Sequence, residues 1–313
     1  MKILIAPLNW GLGHATRCVP LIRRYMAQGH EVVIGGDGES LIWLYRYFPS
    51  VRFVELAPLA VRYSASSSQV GAMLRLLPPL IRFSREDHRR LRHLLELEHF
   101  DVIISDNRFG LYHKDITSIY MTHQLTIRCP KGLRLFEPLL RGLHRMVYRH
   151  YDEVWIPDYE DPARSLAGEL SHPKHLPSYC KYIGPLSRFQ DIQPTKPSPY
   201  QASTVAILSG PEPHRSLFEE HLLTPTNSHS LLIVRGLVTR PFMVVKHADV
   251  TLVPWLKDDD LVPLLRQADH IICRSGYSSI MDLHTLGLLS KTELIPTPGQ
   301  PEQSYLATIH NHN

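Results

Sequence analysis

Short apolar runs of strand type recur along this 313-residue chain, each breaking into a polar turn that opens a helix, and the pattern is sharpest from Ala268 to Ala307. There His270-Ile271-Ile272-Cys273 breaks into Arg274-Ser275-Gly276, and Tyr277-Ser278-Ser279-Ile280-Met281-Asp282-Leu283 follows with apolar residues at helical spacing. A strand that ends in a Ser/Gly turn before a helix leaves the first N–H groups of that helix unpaired. They point outward at the positive end of its dipole, where a phosphate replaces the missing acceptors. Gly276 allows close approach, Ser275, Ser278 and Ser279 add hydroxyl donors, and the spacing brings Asp282 to the same end, within reach of ribose hydroxyls. A second polar cluster, Pro296-Thr297-Pro298-Gly299-Gln300-Pro301-Glu302-Gln303, follows another short apolar strand and converges on the first. An ordinary capped α/β turn satisfies the same pattern, so the turn alone does not decide between them.

The chain begins in the same way. Lys2 to Pro7 reads as a buried strand, Gly11-Leu12-Gly13-His14 as a turn, Pro20 to Gln28 as a helix closed by Gly29, and Glu31 to Ile34 as the next strand, which is a βαβ start. No glycine stands three places after Gly13, so the dinucleotide fingerprint is incomplete. Phe100 to Asp106 and Ser118 to Thr122 are further strands. Their polar ends, Ser105-Asp106-Asn107 and His123-Gln124, border the crevice where open α/β sheets bind ligands. Leu133 to Tyr151 reads as a helix, with Glu153 to Pro157 the strand after it. Between the third strand and Phe100 lie a serine-rich loop, 63–69, and a basic amphipathic stretch, Gly71 to His99. Pro78-Pro79 is expected to kink or divide that stretch into two helices.

Two domains follow from the length. Residues 1–190 form the first and 203–313 the second, joined by a linker over 191–202 in which Gln193 to Pro199 holds three prolines in seven residues. The second domain restarts the pattern. Thr204 to Leu208 ends in Ser209-Gly210-Pro211, a further phosphate-contact candidate, and Val250 to Trp255 leads into Leu256 and a helix from Leu261 to Ala268. Asp258-Asp259-Asp260 reads as a charge run that caps this helix rather than as a metal-holding acidic motif.

Cys273-Arg274-Ser275-Gly276-Tyr277-Ser278-Ser279-Ile280-Met281-Asp282, together with Pro296 to Gln303 and the Gly11-Leu12-Gly13-His14 turn, resembles the motifs of GT-B glycosyltransferases, nearest to family 28. The resemblance implies two Rossmann-like α/β domains facing across a cleft. It implies a donor site in which the turn of Ser275 and Gly276 receives the diphosphate of a UDP-sugar, with Arg274 of the same motif and the hydroxyl of Ser278 counted as donor-side candidates beside it. Asp282 would hold the ribose, where the family usually has glutamate, and Gln300 and Gln303 the sugar. Ser209 and Gly210 match the family's glycine-rich turn, where Pro211 and Glu212 replace small residues, and Trp255 and Leu256 occupy the base site. On the acceptor side it implies Gly11, Gly13 and His14, next to Asn107 and His123 at the crevice-bordering strand ends. His14 is then the candidate general base, because an imidazole with a pKa near 6.5 takes a proton from an acceptor hydroxyl at neutral pH. Asp106 is the runner-up. GT-B proteins usually close with a helix that crosses back onto the N-domain, whereas this chain stops at Asn313.

The expected function is transfer of a hexose or N-acetylhexosamine from a nucleotide-sugar donor to an acceptor hydroxyl, with no metal and no cofactor beyond the donor. Two alternatives are a non-hydrolysing UDP-sugar 2-epimerase, which needs several acid/base groups around the sugar, and a sugar-nucleotide-binding protein without catalysis. Charge bears on the acceptor. Residues 1–157 hold 21 Lys/Arg against 14 Asp/Glu, a net of +7, and residues 158–313 a net of −3. The basic half favours an anionic partner, either a lipid-linked diphosphate acceptor or an acidic membrane surface, against the simpler case of solvated arginines on helix faces. No apolar run reaches the length of a membrane span and no signal-peptide pattern opens the chain, so a cytoplasmic protein, peripheral to the inner face of the membrane, is expected. Cys18, Cys129, Cys180 and Cys273 have no CxxC spacing and read as free thiols. Basic residues are not interleaved with aromatic platforms, which argues against nucleic acid.

Overall fold

The computed structural model describes residues 1–59, 69–129, 134–224 and 230–311. The serine-rich stretch 63–68 and the last two residues lie outside them.

Strands β1 (Lys2–Pro7), β2 (Glu31–Gly36), β3 (Arg52–Glu55), β4 (Val102–Asp106), β5 (Thr117–Met121), β6 (Glu153–Ile156) and β7 (Cys180–Tyr182) form one parallel sheet in the order β3-β2-β1-β4-β5-β6-β7. Strands β8 (Thr204–Ile207), β9 (Leu231–Val234), β10 (Val245–His247), β11 (Val250–Val253), β12 (His270–Arg274) and β13 (Thr292–Ile295) form a second, in the order β10-β11-β9-β8-β12-β13. Only the edge strand β10 runs antiparallel there, paired with β11. Helices α1 (Gly13–Ala27), α2 (Gly38–Tyr47), α3 (Gln69–Leu97) and α4 (Glu137–Tyr148) accompany the first sheet, and α5 (His214–Leu223), α6 (Asp258–Gln267), α7 (Tyr277–Thr285) and α8 (Pro301–His310) the second. Strands covered on both faces are apolar almost throughout, as the fully buried Ile3, Leu4, Ile5 and Ala6 of β1 show.

The order in each sheet reverses at one place, between β1 and β4 in the first and between β8 and β12 in the second. Helices diverge to opposite faces at such a reversal and leave a crevice outside the strand ends. The register puts Pro7 beside Asp106 in one crevice and Ile207 beside Cys273 in the other. The two crevices face each other. A Cβ on Gly11 would stand 3.3 Å from the Gly210 Cα, and one on Gly13 would stand 3.0 Å from the Ser278 Oγ.

Several elements depart from the sequence reading. Helix α1 starts at Gly13 rather than near Pro20, because Ala15, Cys18, Val19 and Ile22 recur on one face and bury completely against the sheet. Helix α3 is continuous through Pro78 and Pro79 instead of dividing there. Each proline removes one backbone bond locally, and the long turns on either side keep the rest. The helix expected over Leu133–Tyr151 is a 3₁₀ turn, Arg134–Phe136, followed by α4. The three aspartates 258–260 occupy the first turn of α6, where they complement the dipole, yet none makes a side-chain capping bond. The edge strand β10 has no counterpart in the sequence reading. No described helix is long and apolar enough to cross a membrane.

Candidate active site

A cleft of about 570 Å³ lies between the two crevices. Its first wall is the start of α1. This helix lifts His14 off the end of β1, so that the imidazole lines the cleft while its side chain stays only 16% exposed. Behind it, at the end of β4, Asp106 is fully buried. The His14 Nδ1 lies 3.0 Å from Asp106 Oδ1 and 2.8 Å from the Arg17 Nη2. A carboxylate only accepts and a guanidinium only donates, so these neighbours favour opposite tautomers of the ring. When Nδ1 carries the hydrogen, it donates to Asp106 and leaves Nε2 with a bare lone pair.

Arg17 is the residue the sequence reading did not single out. It is 2% exposed. Its Nε donates to Asp106 Oδ2 at 2.7 Å, its Nη2 pairs with Asp106 Oδ1, and its Nη1 donates to the His123 Nδ1 at 3.1 Å. Burial alone would raise the Asp106 pKa, but the charges of Arg17 and His14 and their hydrogen bonds hold it at about 2. For His14 burial is the largest influence and lowers the pKa, Asp106 opposes, and Arg17 lowers it further. The imidazole is therefore neutral at neutral pH.

The network continues across the cleft. Because His123 Nδ1 accepts from Arg17, its Nε2 carries the hydrogen and donates to Glu302 Oε1 at 2.8 Å. Glu302 opens α8, a second functional candidate that sequence reasoning did not assign, although it lies inside the polar cluster 296–303. Its pKa is raised by burial and lowered more by His123, Arg17 and His14, so it falls below the usual value. Tyr277, at the start of α7, stacks on the His123 ring with centroids 4.2 Å apart and planes 8° from parallel, and it donates its hydroxyl to the Pro157 carbonyl at 2.7 Å.

The residues expected at the donor site divide. Ser209, Gly210, Trp255, Leu256, Gly276, Ser278, Asp282, Gln300 and Gln303 all line the cleft, as do Gly11, Gly13, Asn107 and His123 on the facing side. Arg274 and Ser275 do not. Arg274 turns back into the second sheet, where its guanidinium sits 3.8 Å from the Phe218 ring centre and donates to the Pro296 carbonyl at 2.9 Å. Ser275 is fully buried and donates its hydroxyl to the Gln303 carbonyl at 2.8 Å, pinning the loop that carries the glutamines. Neither side chain lines the cleft, because both are bonded to the segment that follows β13. The Gly276 and Ser278 positions remain at the surface of that start. Gln303 Nε2 donates to Gln300 Oε1 at 2.7 Å, and Gln303 Oε1 accepts from the Thr297 N–H at 2.9 Å, so the two amides act as one unit.

Two cleft residues are already engaged. Ser278 Oγ donates to the Gly13 carbonyl at 2.8 Å. Asp282 accepts from Ser187 Oγ at 2.6 Å and lies 3.3 Å from the Arg188 Nε. Burial raises its pKa to about 6, with Arg188 and Ser187 opposing. Arg188, flanked by Trp43 and Phe189, belongs to the segment between the sheets and was not foreseen. Asn107, at the end of β4, holds a left-handed backbone (φ 57°) and accepts from the Tyr120 hydroxyl at 2.9 Å.

Two Rossmann-like units whose strand ends face each other across one cleft, with glycine turns opposed and a helix start on each side, define the GT-B fold. Solved structures of similar chains agree with it. No protein-family model matches this chain. It is 25% identical over 329 residues to an uncharacterized glycosyltransferase of Methanosarcina acetivorans, with 99% of this chain and 81% of that protein covered. Among solved structures, the spinosyn rhamnosyltransferase SpnG complexed with thymidine diphosphate superposes with a TM-score of 0.59 at 15% identity, covering 99% of this chain and 84% of that one. A Listeria monocytogenes protein named as a candidate UDP-N-acetylglucosamine 2-epimerase superposes with a TM-score of 0.57 at 11% identity, covering 99% and 86%. At these identities the structures speak for the fold alone.

Proposed function

We propose that this protein is a glycosyltransferase of family 28 type that moves a hexose or N-acetylhexosamine from a nucleotide-sugar donor, UDP-linked, to an acceptor hydroxyl without a metal. The observation that carries the reading is the buried Asp106 behind a neutral, cleft-lining His14, set opposite the start of α7. In this reading His14 Nδ1 donates to Asp106, Nε2 takes the acceptor proton, and the Asp106 carboxylate stabilises the imidazolium that forms, against the opposing charge of Arg17. The acceptor oxygen then forms its bond to the sugar carbon as the bond to the diphosphate breaks. The charge left on the diphosphate meets the unpaired N–H groups at Gly276–Ser278. Asp282 takes the ribose once Arg188 releases it, the Gln300–Gln303 pair takes the sugar, and Trp255 and Leu256 border the base. The Methanosarcina relative named as a glycosyltransferase and the rhamnosyltransferase bound to thymidine diphosphate support a nucleotide-sugar donor. The basic first domain favours an anionic, lipid-linked acceptor on the inner face of the membrane.

One observation favours the epimerase as a second reading. Glu302, His123 and His14 gather around the same cleft, which supplies the acid/base groups such chemistry requires.

The test uses the native chain and His14→Ala with UDP-, GDP- and dTDP-sugars. A ligand at about 100 times its dissociation constant adds roughly 2.7 kcal/mol of stability, seen as a raised melting temperature. Transfer requires that one nucleotide class stabilise both proteins and that turnover drop by about 10²- to 10⁴-fold in the variant alone. Turnover unchanged in His14→Ala removes the base assignment. Exchange of the sugar C2 hydrogen with solvent in the absence of any acceptor selects the epimerase, and no stabilisation by any sugar nucleotide overturns both readings.

A further inference from the structure

A cluster of buried charges lies beside the donor wall of the cleft. Arg188, on the segment that follows β7, points between two carboxyls of the second unit. Its Nε is 3.3 Å from Asp282 Oδ2 in α7, and its Nη1 is 3.4 Å from Asp258 Oδ1 at the start of α6. Both are charge contacts, longer than the roughly 2.7–2.9 Å of a hydrogen bond between ionised groups. Asp258 is 5% exposed, and neither of its oxygens, nor the Arg188 Nε, has a hydrogen-bond partner among the described residues. The Tyr47 hydroxyl, at the end of α2 in the first unit, feels the charges of both Arg188 and Asp258 yet makes no hydrogen bond of normal geometry. The Trp43 and Phe189 rings, 5.6 and 4.6 Å from the guanidinium, help to close it off from water. One cation thus stands between two anions, and a guanidinium forms a bidentate pair with only one carboxylate at a time. Asp282 has a second partner in Ser187, whereas Asp258 has Arg188 as its one ion-pair partner among the described residues. Burial, the largest influence, raises the Asp282 pKa and Asp258 adds to it, while Arg188 opposes, so the two carboxyls repel across one guanidinium.

We propose that Asp258 is a positioning residue of the donor site: when the ribose hydroxyls of the nucleotide take Asp282, Arg188 moves off that carboxyl and pairs with Asp258 and the Tyr47 hydroxyl. The inference rests on the donor-site reading, in which Asp282 holds the ribose. A closing of about 0.5 Å brings Nη1 from 3.4 Å into the range of a charged hydrogen bond to Asp258. The guanidinium also donates to the Tyr47 oxygen, and the Tyr47 O–H donates to the second Asp258 oxygen, so every group left unpaired in the nucleotide-free protein gains a partner. Breaking a buried ion pair is costly because one charge is left uncompensated. Here the guanidinium leaves one buried carboxylate for another, which offsets that cost. The exchange also couples the nucleotide to the meeting of the two units, because Tyr47 belongs to the first and both carboxyls to the second. It selects for a nucleoside diphosphate that carries its ribose hydroxyls.

Calorimetric titration of the full chain with UDP, and with 2′,3′-dideoxy-UDP, which lacks both ribose hydroxyls, tests the exchange. Asp258→Asn keeps the shape of the side chain and removes its charge. Arg188 then stays on Asp282 and competes with the ribose, so UDP binds about 10-fold more weakly, the size of coupling found between charged groups in contact. The dideoxy nucleotide leaves Arg188 where it is and binds parent and variant alike. Tyr47→Phe moves in the same direction by roughly 3-fold, as loss of one hydrogen bond does, again for UDP alone. Weakening of both nucleotides to the same extent gives Asp258 a structural role only and overturns the proposal, as does unchanged UDP affinity in Asp258→Asn. If that variant does not fold, the Tyr47→Phe comparison decides alone, and parent affinity for UDP there overturns the proposal. A parent protein that binds none of UDP, GDP and dTDP, or that binds UDP and its dideoxy form equally, overturns the donor-site reading and this inference with it. A parent that distinguishes the two nucleotides while Asp258→Asn matches it overturns this inference alone.

Discussion

Asp106 and Asp282 are both buried carboxyls, and their surroundings send them in opposite directions. Asp106 has Arg17 and His14 against it and stays ionised to about pH 2, whereas Asp282 faces the more distant Arg188 and has its pKa raised to about 6 by burial. The sign for stability follows. A carboxyl whose folded pKa exceeds its unfolded 3.8 holds its proton more tightly when folded, so its contribution favours folding at low pH and is lost as pH rises from 3.8 to about 6. Asp282→Asn lacks that dependence. Denaturant melts of parent and variant between about pH 4 and pH 7 should shift in the variant's favour as pH rises, by roughly 2–3 kcal/mol. A gap independent of pH contradicts the raised pKa. Residues of this kind were only half visible beforehand. Ser278, Asp282 and Gln303 could be picked from spacing because they follow a strand by a fixed number of positions. Arg17 and Glu302 lie within or beside the same motifs, but their importance comes from partners 89 and 179 positions away. The available cue was Arg17 three residues after His14, one turn along the same helix face.

At the scale of the element, local rules were right about where strands run and less reliable about where helices begin and what they face. Helix α3 carries Pro78 and Pro79 in its interior and does not break, because each costs only a local backbone bond and the turns on either side keep theirs. That penalty is still present. Pro78→Ala restores a backbone donor and should stabilise the protein by about 1–3 kcal/mol in denaturant unfolding; a loss of stability would show instead that the ring is needed where it stands. Helix α4 marks the other limit. Its apolar residues fall at helical spacing, which ordinarily means an inward face, yet Leu139, Leu143 and Met146 point to solvent. Periodicity gives the existence of an apolar face but not its partner.

Across the whole molecule, the two units share one apolar cluster, which holds Leu170, Leu186 and Phe189 of the first side together with Tyr277, Leu283 and Leu306 of the second, and polar bonds at the cleft join them as well. The Ser278 hydroxyl on the Gly13 carbonyl and the His123–Glu302 pair both join the start of one helix to a strand end or helix start of the opposite unit. Ser278→Ala removes one such bond and should lower the stability of the nucleotide-free protein by about 1 kcal/mol. If the proposed donor site holds, it should also weaken binding of a UDP-sugar, because the same hydroxyl borders the position proposed for the diphosphate; calorimetry of the variant that shows parent affinity removes Ser278 from the donor site. The sequence by itself determined the alternation of strand and helix, the Ser/Gly and Gly/Gly turns at strand ends, and hence an α/β architecture with crevices at those ends. These are properties of neighbours within about a dozen residues, set by backbone geometry and the period of apolar side chains. Only the tertiary structure decided that Asp106 backs His14, that Arg17 locks both, that Glu302 reaches across to His123, and that Arg274 and Ser275 turn away from the cleft. Those outcomes depend on which strands become neighbours and how the two sheets are opposed, and the burial that sets each pKa exists only once that packing is complete.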